Sequence, residues 1–327
     1  MGLAATKVNR YRPHMTDLVM LPWADYAATL GGATLGLEVE VFSEGDPEPD
    51  QAILDNVVFY VPPYEGGRRS LAVIPNMPRV QIVQSLWAGV DGVWPFMRDG
   101  VSLHNAAGVH DASTAELAVG LAIARLRRLD EFAVAQARGA WLHDFTPALA
   151  DRTVLILGYG NIGQAVERRL AGFEVNIIRV ATTARVDDEG REIHGQDELP
   201  ALLPIADVVI VIMPQTPATT KLINADFLAR MKDGAVLVNV ARGAIVDTDA
   251  LLAEVMTGRI SAALDVTDPE PLPSDHPLWT APGVLISPHV GGSTSAFAPR
   301  AKKLVEDQIN RWRQGQPLIN QMAPPVS

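Results

Sequence analysis

The chain has 327 residues, a formal net charge of −11 and 48% hydrophobic residues, a composition typical of a globular protein with about two domains. The acidic balance argues against nucleic acid or an anionic membrane as the main partner, because both need a basic face. The chain contains no cysteine, which excludes disulfides, thiolate metal sites and cysteine nucleophiles. Residues 1–17 lack a signal-peptide pattern and no run reaches about 18 apolar residues, so we expect a cytoplasmic protein that spans no membrane.

The N-terminal third has two strand-like apolar runs, at residues 57–61 and 80–83, punctuated by glycine and proline. These features predict a small α/β unit. Residues 115–127 follow a capping sequence and are apolar on nearly every side. A helix of this kind is buried, so we predict that it is covered by another domain or subunit.

From residue 153 onward, apolar strands alternate with helices such as residues 225–231 and 248–256. The strands are predicted at residues 153–157, 175–180, 208–213, 235–240, 262–265 and 284–287. Continuous apolar strands between helices indicate α/β class, with a doubly wound parallel sheet covered on both faces. We assign residues 104–291 to this domain and expect a helix at residues 293–314 that returns to the N-terminal unit.

A glycine-rich turn joins the first of these strands to a helix, with the sequence Gly158-Tyr159-Gly160-Asn161-Ile162-Gly163. The first glycine permits a tight turn, and the second lets the backbone approach a pyrophosphate at the positive end of the helix. The third allows close packing of the helix on the strand. An ordinary tight turn is the alternative, but the strand before and the helix after favour dinucleotide binding.

The end of the next strand is the position at which an acidic residue reads the ribose of NAD. Here the chain has Arg179, followed by Thr182 and Arg185, and no acid before Asp187. Arginine attracts a 2′-phosphate that an aspartate would repel. These residues favour NADP(H), with NAD(H) still possible; the alternative is that they are solvated loop residues.

Three further segments lie at the ends of later strands, where open α/β sheets place their sites. They contain Arg242, then Asp265 and Glu270, and then His289. Together with the glycine turn they closely resemble the D-isomer-specific 2-hydroxyacid dehydrogenases, in particular the glyoxylate and hydroxypyruvate reductase branch. The resemblance covers nearly the whole chain and includes residues 85–91 and 213–219.

The resemblance implies the chemistry of these residues. His289 would protonate the carbonyl oxygen as hydride arrives, and Glu270 would pair with its other ring nitrogen and raise its pKa. Arg242 would hold the substrate carboxylate and polarise the carbonyl, because a planar two-pronged donor suits a 2-keto acid. Asp265 would contact the nicotinamide carboxamide.

The resemblance also implies the remaining contacts. The backbone N–H groups of Ala88 and Gly89 would bind the substrate carboxylate, beside Trp87, which stands where this family often has a small residue. The other positions expected at the cofactor are Met213, Pro214, Thr219, Val240, Ala241, Gly291 and Gly292. The implied fold is two Rossmann-like domains, with the cofactor domain inserted into a smaller flavodoxin-like substrate domain formed by residues 1–103 and 292–327.

Other interpretations of the sequence stay open. Arg242 could form a surface salt bridge, while Glu270 and His289 could be loop residues. A dinucleotide-sensing corepressor or scaffold of the same fold would bind the cofactor with negligible turnover. No histidine pair has ligand spacing with an acid, so we predict no catalytic metal.

We also expect a homodimer, because the apolar helix at residues 115–127 and the stretch that follows it need a cover. Members of the resembling family dimerise through this region. In some of them the tryptophan after this helix, here Trp141, reaches the neighbour's substrate pocket; the alternative is that Trp141 packs locally.

Overall fold

The computed structural model describes residues 17–30 and 38–324. The expected absence of a signal peptide concerns residues that, apart from Asp17, lie outside this range. The chain divides into two compact units. The first comprises the residues up to Val109 and those from Ala296 onward, and the second is the inserted segment His110–Ser295. These boundaries fall a few residues after the predicted ones.

The first unit contains a parallel sheet flanked by helices. Strands β1 to β5 span Leu18–Leu21, Glu38–Val41, Val57–Tyr60, Ile82–Gln84 and Ser102–His104, and helices α1 to α3 span Ala24–Leu30, Gln51–Leu54 and Gly67–Ala72. The strand order is β2-β1-β3-β4-β5, with every pairing parallel. The sequence predicted β3 and β4 and missed the other three strands.

The C-terminal helix, Phe297–Arg313, belongs to this first unit. It buries Val305, Ile309 and Trp312 in the same hydrophobic cluster as β1 and β3. The Trp312 ring centre lies 5.6 Å from that of Phe59. The amphipathic pattern of the helix therefore matches the face that the sheet leaves to be covered.

The second unit contains a larger doubly wound sheet. Its helices α4 to α9 are Asp111–Leu126, Leu129–Ala137, Asn161–Leu170, Leu199–Leu202, Ala225–Arg230 and Thr248–Met256, and its strands β6 to β13 are Thr153–Leu157, Asn176–Val180, Arg185–Val186, Glu192–Ile193, Val208–Val211, Val236–Asn239, Ser261–Leu264 and Val284–Ile286. The sheet order is β13-β12-β11-β10-β6-β7, all parallel, while β8 and β9 form a separate antiparallel pair. The predicted α/β class with two parallel sheets is confirmed.

Successive residues of β10 point to opposite faces of the sheet. Val209 and Val211 enter one hydrophobic cluster, whereas Val208 and Ile210 enter the other. Strand β6 lies between β10 and β7, so the chain changes direction across the sheet at β6. Open α/β sheets bind ligands beside such a switch point, at the carboxyl ends of the strands.

Helix α4 is buried, but mainly by its own unit. Ala115, Ala118 and Leu121 pack into the cluster that also contains α6 and the sheet. The exposed apolar surface lies farther along the chain, at Trp141 and Phe145, each 95% exposed. Within the described ranges, no helix is long and apolar enough to cross a membrane.

Candidate active site

The glycine turn starts where β6 ends. Gly158 has a φ of 111°, and a Cβ at this position would lie 2.6 Å from the backbone nitrogen of Met213. A Cβ on Gly163 would lie 2.2 Å from the carbonyl oxygen of Gly158, so a larger residue would push α6 away from the strand. A Cβ on Gly160 would meet nothing within 4 Å. The turn is thus tightly packed on the protein side and open at Gly160.

The first turn of α6 offers backbone donors to an anion. Gln164 donates to the carbonyl oxygen of Gly160 at 3.0 Å. In the described part of the chain, the N–H groups of Asn161 and Ile162 have no protein acceptor. These donors lie at the positive end of the helix dipole. This arrangement fits the pyrophosphate of a dinucleotide.

Arg179 at the end of β7 is committed to a protein carboxylate. Its Nε donates to Oε2 of Glu167 at 2.8 Å, and its Nη2 donates to Oε1 at 2.5 Å. Its guanidinium lies 5.9 Å from the ring centre of Tyr159, whose hydroxyl donates to Glu167. Burial opposes ionisation of Glu167, but the hydrogen bonds from Arg179 and Tyr159 and the charges of Arg179 and Arg191 together hold the pKa of this carboxyl below its ordinary value. Arg179 therefore neutralises Glu167 rather than projecting freely towards a cofactor.

Thr182 and Arg185 are exposed beyond the end of β7. Nη2 of Arg185 donates to the carbonyl oxygen of Tyr159 at 3.4 Å, which places its charge beside the glycine turn. Across residues 17–30 and 38–324, no carboxylate pairs with Arg185. The available positive charge near the turn therefore belongs to Arg185.

Asp265, directly after β12, organises the loop that carries His289. The residue is 2% exposed. Its Oδ1 accepts from Ser287 Oγ at 2.6 Å and from the Val290 N–H at 2.9 Å, and its Oδ2 accepts from the Gly291 N–H at 2.9 Å. The His289 N–H donates to the Asp265 carbonyl oxygen at 2.8 Å. His289 has a left-handed φ of 53°, which is uncommon for a residue other than glycine. The hydrogen bonds that Asp265 makes to His289 and to residues before and after it in the chain hold His289 in this conformation.

His289 and Glu270 form a close pair. Nδ1 of His289 lies 2.5 Å from Oε1 of Glu270, and both side chains are about half exposed. This hydrogen bond raises the pKa of His289 above its ordinary value, against the opposing effects of burial and of the Arg242 charge. The same bond lowers the pKa of Glu270. The pair therefore favours a protonated imidazole beside an ionised carboxylate.

Arg242 is presented by a tight turn after β11. The buried side chain of Asn239 donates to the Arg242 carbonyl oxygen at 3.0 Å and accepts from the Ala241 N–H at 3.1 Å. A Cβ on Gly243 would lie 1.9 Å from the carbonyl oxygen of Thr267, so only glycine lets the two loops approach. The half-buried Arg242 is also close enough to affect the pKa values of Glu270 and His289.

The predicted residues of the second unit share one edge of its sheet. The segments with Met213 and Pro214, with Val240 and Ala241, and with Gly291 and Gly292 follow β10, β11 and β13 respectively. Thr219 closes the loop after β10 by donating to the Pro214 carbonyl oxygen at 2.8 Å. Parallel strands end at the same edge, so these segments lie along the edge that also carries the glycine turn. In the described residues, no group of three or more His, Cys, Asp or Glu side chains could hold a metal.

Trp87, Ala88 and Gly89 lie in the first unit. The carbonyl oxygen of Trp87 accepts from the Ala106 N–H at 2.9 Å, and that of Ala88 accepts from Asn105 Nδ2 at 2.8 Å. The N–H of a trans peptide points opposite to its carbonyl, so the N–H groups of Ala88 and Gly89 point away from residues 105–106. Neither N–H has an acceptor in the described chain. The loop therefore offers two adjacent donors to an anion.

The sequence did not single out three residues that shape these sites: Glu167, Asn239 and Ser287. Each of them acts on a predicted residue, as the partner of Arg179, the support of Arg242 and a donor to Asp265. No spacing rule links them to those residues, because the contacts arise from the folded chain.

Comparison with known proteins identifies the family. The model for the NAD-binding domain of the D-isomer specific 2-hydroxyacid dehydrogenases matches residues 119–291. The chain belongs to this family. It is therefore an oxidoreductase that binds a nicotinamide dinucleotide.

Relatives of this dehydrogenase include a human glyoxylate reductase/hydroxypyruvate reductase, 32% identical over 253 residues that cover 74% of this chain and 77% of the relative. Two solved structures each align with 94% of this chain and 98% of their own. One is an NADPH-dependent glyoxylate/hydroxypyruvate reductase from Sinorhizobium meliloti in complex with NADP and sulfate, at 27% identity and a TM-score of 0.79. The other is a D-isomer specific 2-hydroxyacid dehydrogenase from Xanthobacter autotrophicus in complex with NADPH and MES, at 30% identity and a TM-score of 0.76.

The first prediction concerns the pKa of His289 in this dehydrogenase. Substituting Glu270→Gln removes the carboxylate charge while keeping a similar shape, so the pKa of His289 should fall, since burial and Arg242 both favour the neutral ring. NMR titration of the imidazole measures this change. The control Glu254→Gln removes a carboxylate that pairs with Arg259 and should leave the titration of His289 as it is. An unchanged pKa in Glu270→Gln would contradict the pairing.

Proposed function

We propose that the dehydrogenase is an NADP(H)-preferring reductase of 2-keto acids, with glyoxylate and hydroxypyruvate as candidate substrates and the D-2-hydroxy acid as product. The His289–Glu270 pair carries this proposal, because a carboxylate that holds an imidazole protonated provides a general acid. The pair belongs to loops at the sheet edge that also bears the glycine turn. The human and S. meliloti relatives, both named as glyoxylate/hydroxypyruvate reductases, support the substrate class.

A nicotinamide dinucleotide held at the glycine turn would supply hydride to the carbonyl carbon. His289 provides the proton: with Nδ1–H donated to Glu270, Nε2–H is the group left to protonate the carbonyl oxygen. Transfer leaves a neutral imidazole, which the nearby Glu270 carboxylate disfavours, so the ring regains a proton before the next turnover. Hydroxy-acid oxidation runs these proton steps in reverse, with His289 as the base.

Each unit offers its own donors to the carboxylate of a keto acid. In the second unit, Arg242 would bind a carboxylate through two parallel hydrogen bonds and polarise the neighbouring carbonyl. In the first unit, the N–H groups of Ala88 and Gly89 are neutral donors suited to a carboxylate. Asp265 would contact the nicotinamide carboxamide in addition to supporting the His289 loop.

We predict that His289→Ala lowers kcat for keto-acid reduction by about 10²–10⁴-fold, the usual contribution of a positioned acid. The affinity for NADPH should stay near its native value, because the imidazole acts on the other reactant. Stopped-flow turnover and fluorescence titration with NADPH measure the two effects. As a control, His276→Ala removes a histidine that accepts from the Leu278 N–H, and kcat should stay close to native.

The alternative function, that of a corepressor or scaffold, predicts a different result in the turnover assay. A sensor would bind NADPH and oxidise it negligibly with any keto acid. A native kcat in His289→Ala would instead show that another group protonates the substrate.

The preference for NADP(H) is assigned to Arg185 with Thr182. Arg185 is exposed, lies beside the glycine turn and has no carboxylate partner in the described ranges. Arg179 supports this site indirectly, because it neutralises Glu167, whose negative charge would otherwise repel a 2′-phosphate. The NADP and NADPH bound to the two neighbouring structures support the assignment.

We predict that Arg185→Met reduces the preference for NADPH over NADH by about 10–150-fold, because a charge-assisted hydrogen bond contributes about 1.5–3 kcal/mol. The ratio of kcat/KM for the two cofactors measures the effect. Arg152→Met, which removes an arginine paired with Asp207, is the control and should leave the ratio unchanged. Equal use of both cofactors by the native enzyme would refute the assignment.

We also propose a homodimer, formed through an exposed apolar segment. Helix α4 is covered by its own unit, so the surface that needs a cover is the segment with Trp141 and Phe145. A symmetric partner is the commonest cover for such a patch. Contact of Trp141 with the neighbour's substrate pocket is a separate proposal, which a changed keto-acid preference in Trp141→Ala would support. The cytoplasmic location also stays a prediction.

Sedimentation at micromolar concentration should therefore give a dimer of the 35.2 kDa chain. Replacing Trp141 and Phe145 by Ser should shift the equilibrium towards monomer, because two large exposed apolar side chains are lost from the contact. A native monomer would rule out the dimer.

A further inference from the structure

The first unit contains a cavity of about 500 Å³ beside the loop assigned to the substrate carboxylate. Trp87 and Gly89 from that loop line it, together with Tyr64, which follows β3. Val93 and Phe96 complete a mostly apolar wall. Its volume lies within the range of about 300–1,000 Å³ typical of small-molecule sites. A two-carbon acid bound at the loop would leave most of this space to water.

One side of the cavity is a layer of aromatic rings. The Tyr64 and Trp87 rings stack with centres 6.0 Å apart and an interplanar angle of 27°. Behind them, the Phe297 ring centre lies 4.3 Å from that of Tyr64. This packing restricts rotation of the Trp87 and Tyr64 side chains. The cavity thus has a preformed flat apolar surface.

The lining of the cavity also includes a positively charged side chain, that of Arg68. The Arg68 guanidinium lies over the Phe96 ring, 5.4 Å from its centre. In the described residues Arg68 has no carboxylate partner. A stacked guanidinium attracts the face of an aromatic ring as well as an anion. Glu65 also lines the cavity, however, and its charge would repel a second carboxylate.

We infer that this cavity binds the side chain of the keto acid, and that the preferred substrate is a 2-keto acid with a ring-sized apolar side chain. This inference rests on the proposed function, because the Ala88–Gly89 loop must hold the keto-acid carboxylate. With the carboxylate at Gly89, the side chain enters the cavity lined by the same residue. A ring there contacts the Tyr64–Trp87 layer and Arg68, whereas glyoxylate contacts neither.

Steady-state reduction of phenylpyruvate, glyoxylate and 2-oxoglutarate with NADPH tests the inference. The native enzyme should show kcat/KM for phenylpyruvate at least about tenfold above that for glyoxylate, because apolar pocket contacts contribute on this scale. Arg68→Met should lower the ratio of phenylpyruvate to glyoxylate about 2–5-fold, the contribution of an exposed cation–π contact. Phe96→Ala, which removes the ring beneath Arg68, should lower it about tenfold.

The neighbouring Arg69 is the matched control. It lies on the same helix but donates to the Asp46 carbonyl oxygen at 2.7 Å and lines a different cavity. Arg69→Met should leave the substrate ratio unchanged. The ratio compares two substrates on one protein preparation. A lower concentration of folded enzyme in a partly unfolded variant therefore affects both values of kcat/KM equally and leaves their ratio unchanged.

The outcomes separate this inference from the proposed function. A native enzyme that reduces glyoxylate as well as or better than phenylpyruvate keeps the function and overturns the side-chain pocket. Preference for 2-oxoglutarate also overturns it, because Arg68 would then pair with a second carboxylate. Ratios unaffected by Arg68→Met and Phe96→Ala overturn the role of this cavity. An enzyme that binds NADPH but reduces neither these three acids nor hydroxypyruvate overturns the proposed function itself.

Discussion

The buried carboxylate of Asp265 is the interaction on which the geometry around His289 depends. It accepts from Ser287, Val290 and Gly291, while its main chain accepts from His289, so a single residue fixes the whole turn. A left-handed residue other than glycine persists only where its surroundings hold it. Here that conformation places the imidazole beside Glu270, and their hydrogen bond sets the protonation of both groups. Removing the Asp265 carboxylate would leave buried donors unsatisfied and release the turn.

Glycines determine the positions of the other site loops, because their lack of a Cβ lets neighbouring backbone segments approach closely. Gly158 brings the glycine turn against the loop after β10, Gly163 brings α6 against Gly158, and Gly243 brings the Arg242 turn against Thr267. The sequence predicted the glycine turn because each of its three glycines has a steric role between a strand and a helix. It also predicted Arg242, Glu270 and His289 through their place after strands and through a family resemblance. The structure shows why these side chains are close: parallel strands end at one edge of the sheet.

Several strands, ion pairs and packing contacts could not be predicted from the sequence. Strands β2 and β5 have at most four residues and include polar side chains, so neither forms a continuous apolar run in the sequence. The pairing of Arg179 with Glu167 joins a strand to a helix, and sequence spacing does not reveal which carboxylate an arginine will meet. The apolar faces of α4 looked like an interface because neither the sheet nor α6 could be placed against them. In each case the deciding contact is tertiary, and local pattern is a weak guide to it.

Hydride transfer to a keto acid is the central claim, and isotope transfer tests it most directly. The enzyme would be given NADPH carrying deuterium on the transferable C4 position, with glyoxylate, hydroxypyruvate and phenylpyruvate in turn. Mass spectrometry and chiral analysis of the products should show deuterium at C2 of a hydroxy acid, with the D configuration wherever C2 of the unlabelled product is a stereocentre. Products without the label, or with the L configuration, would contradict the account.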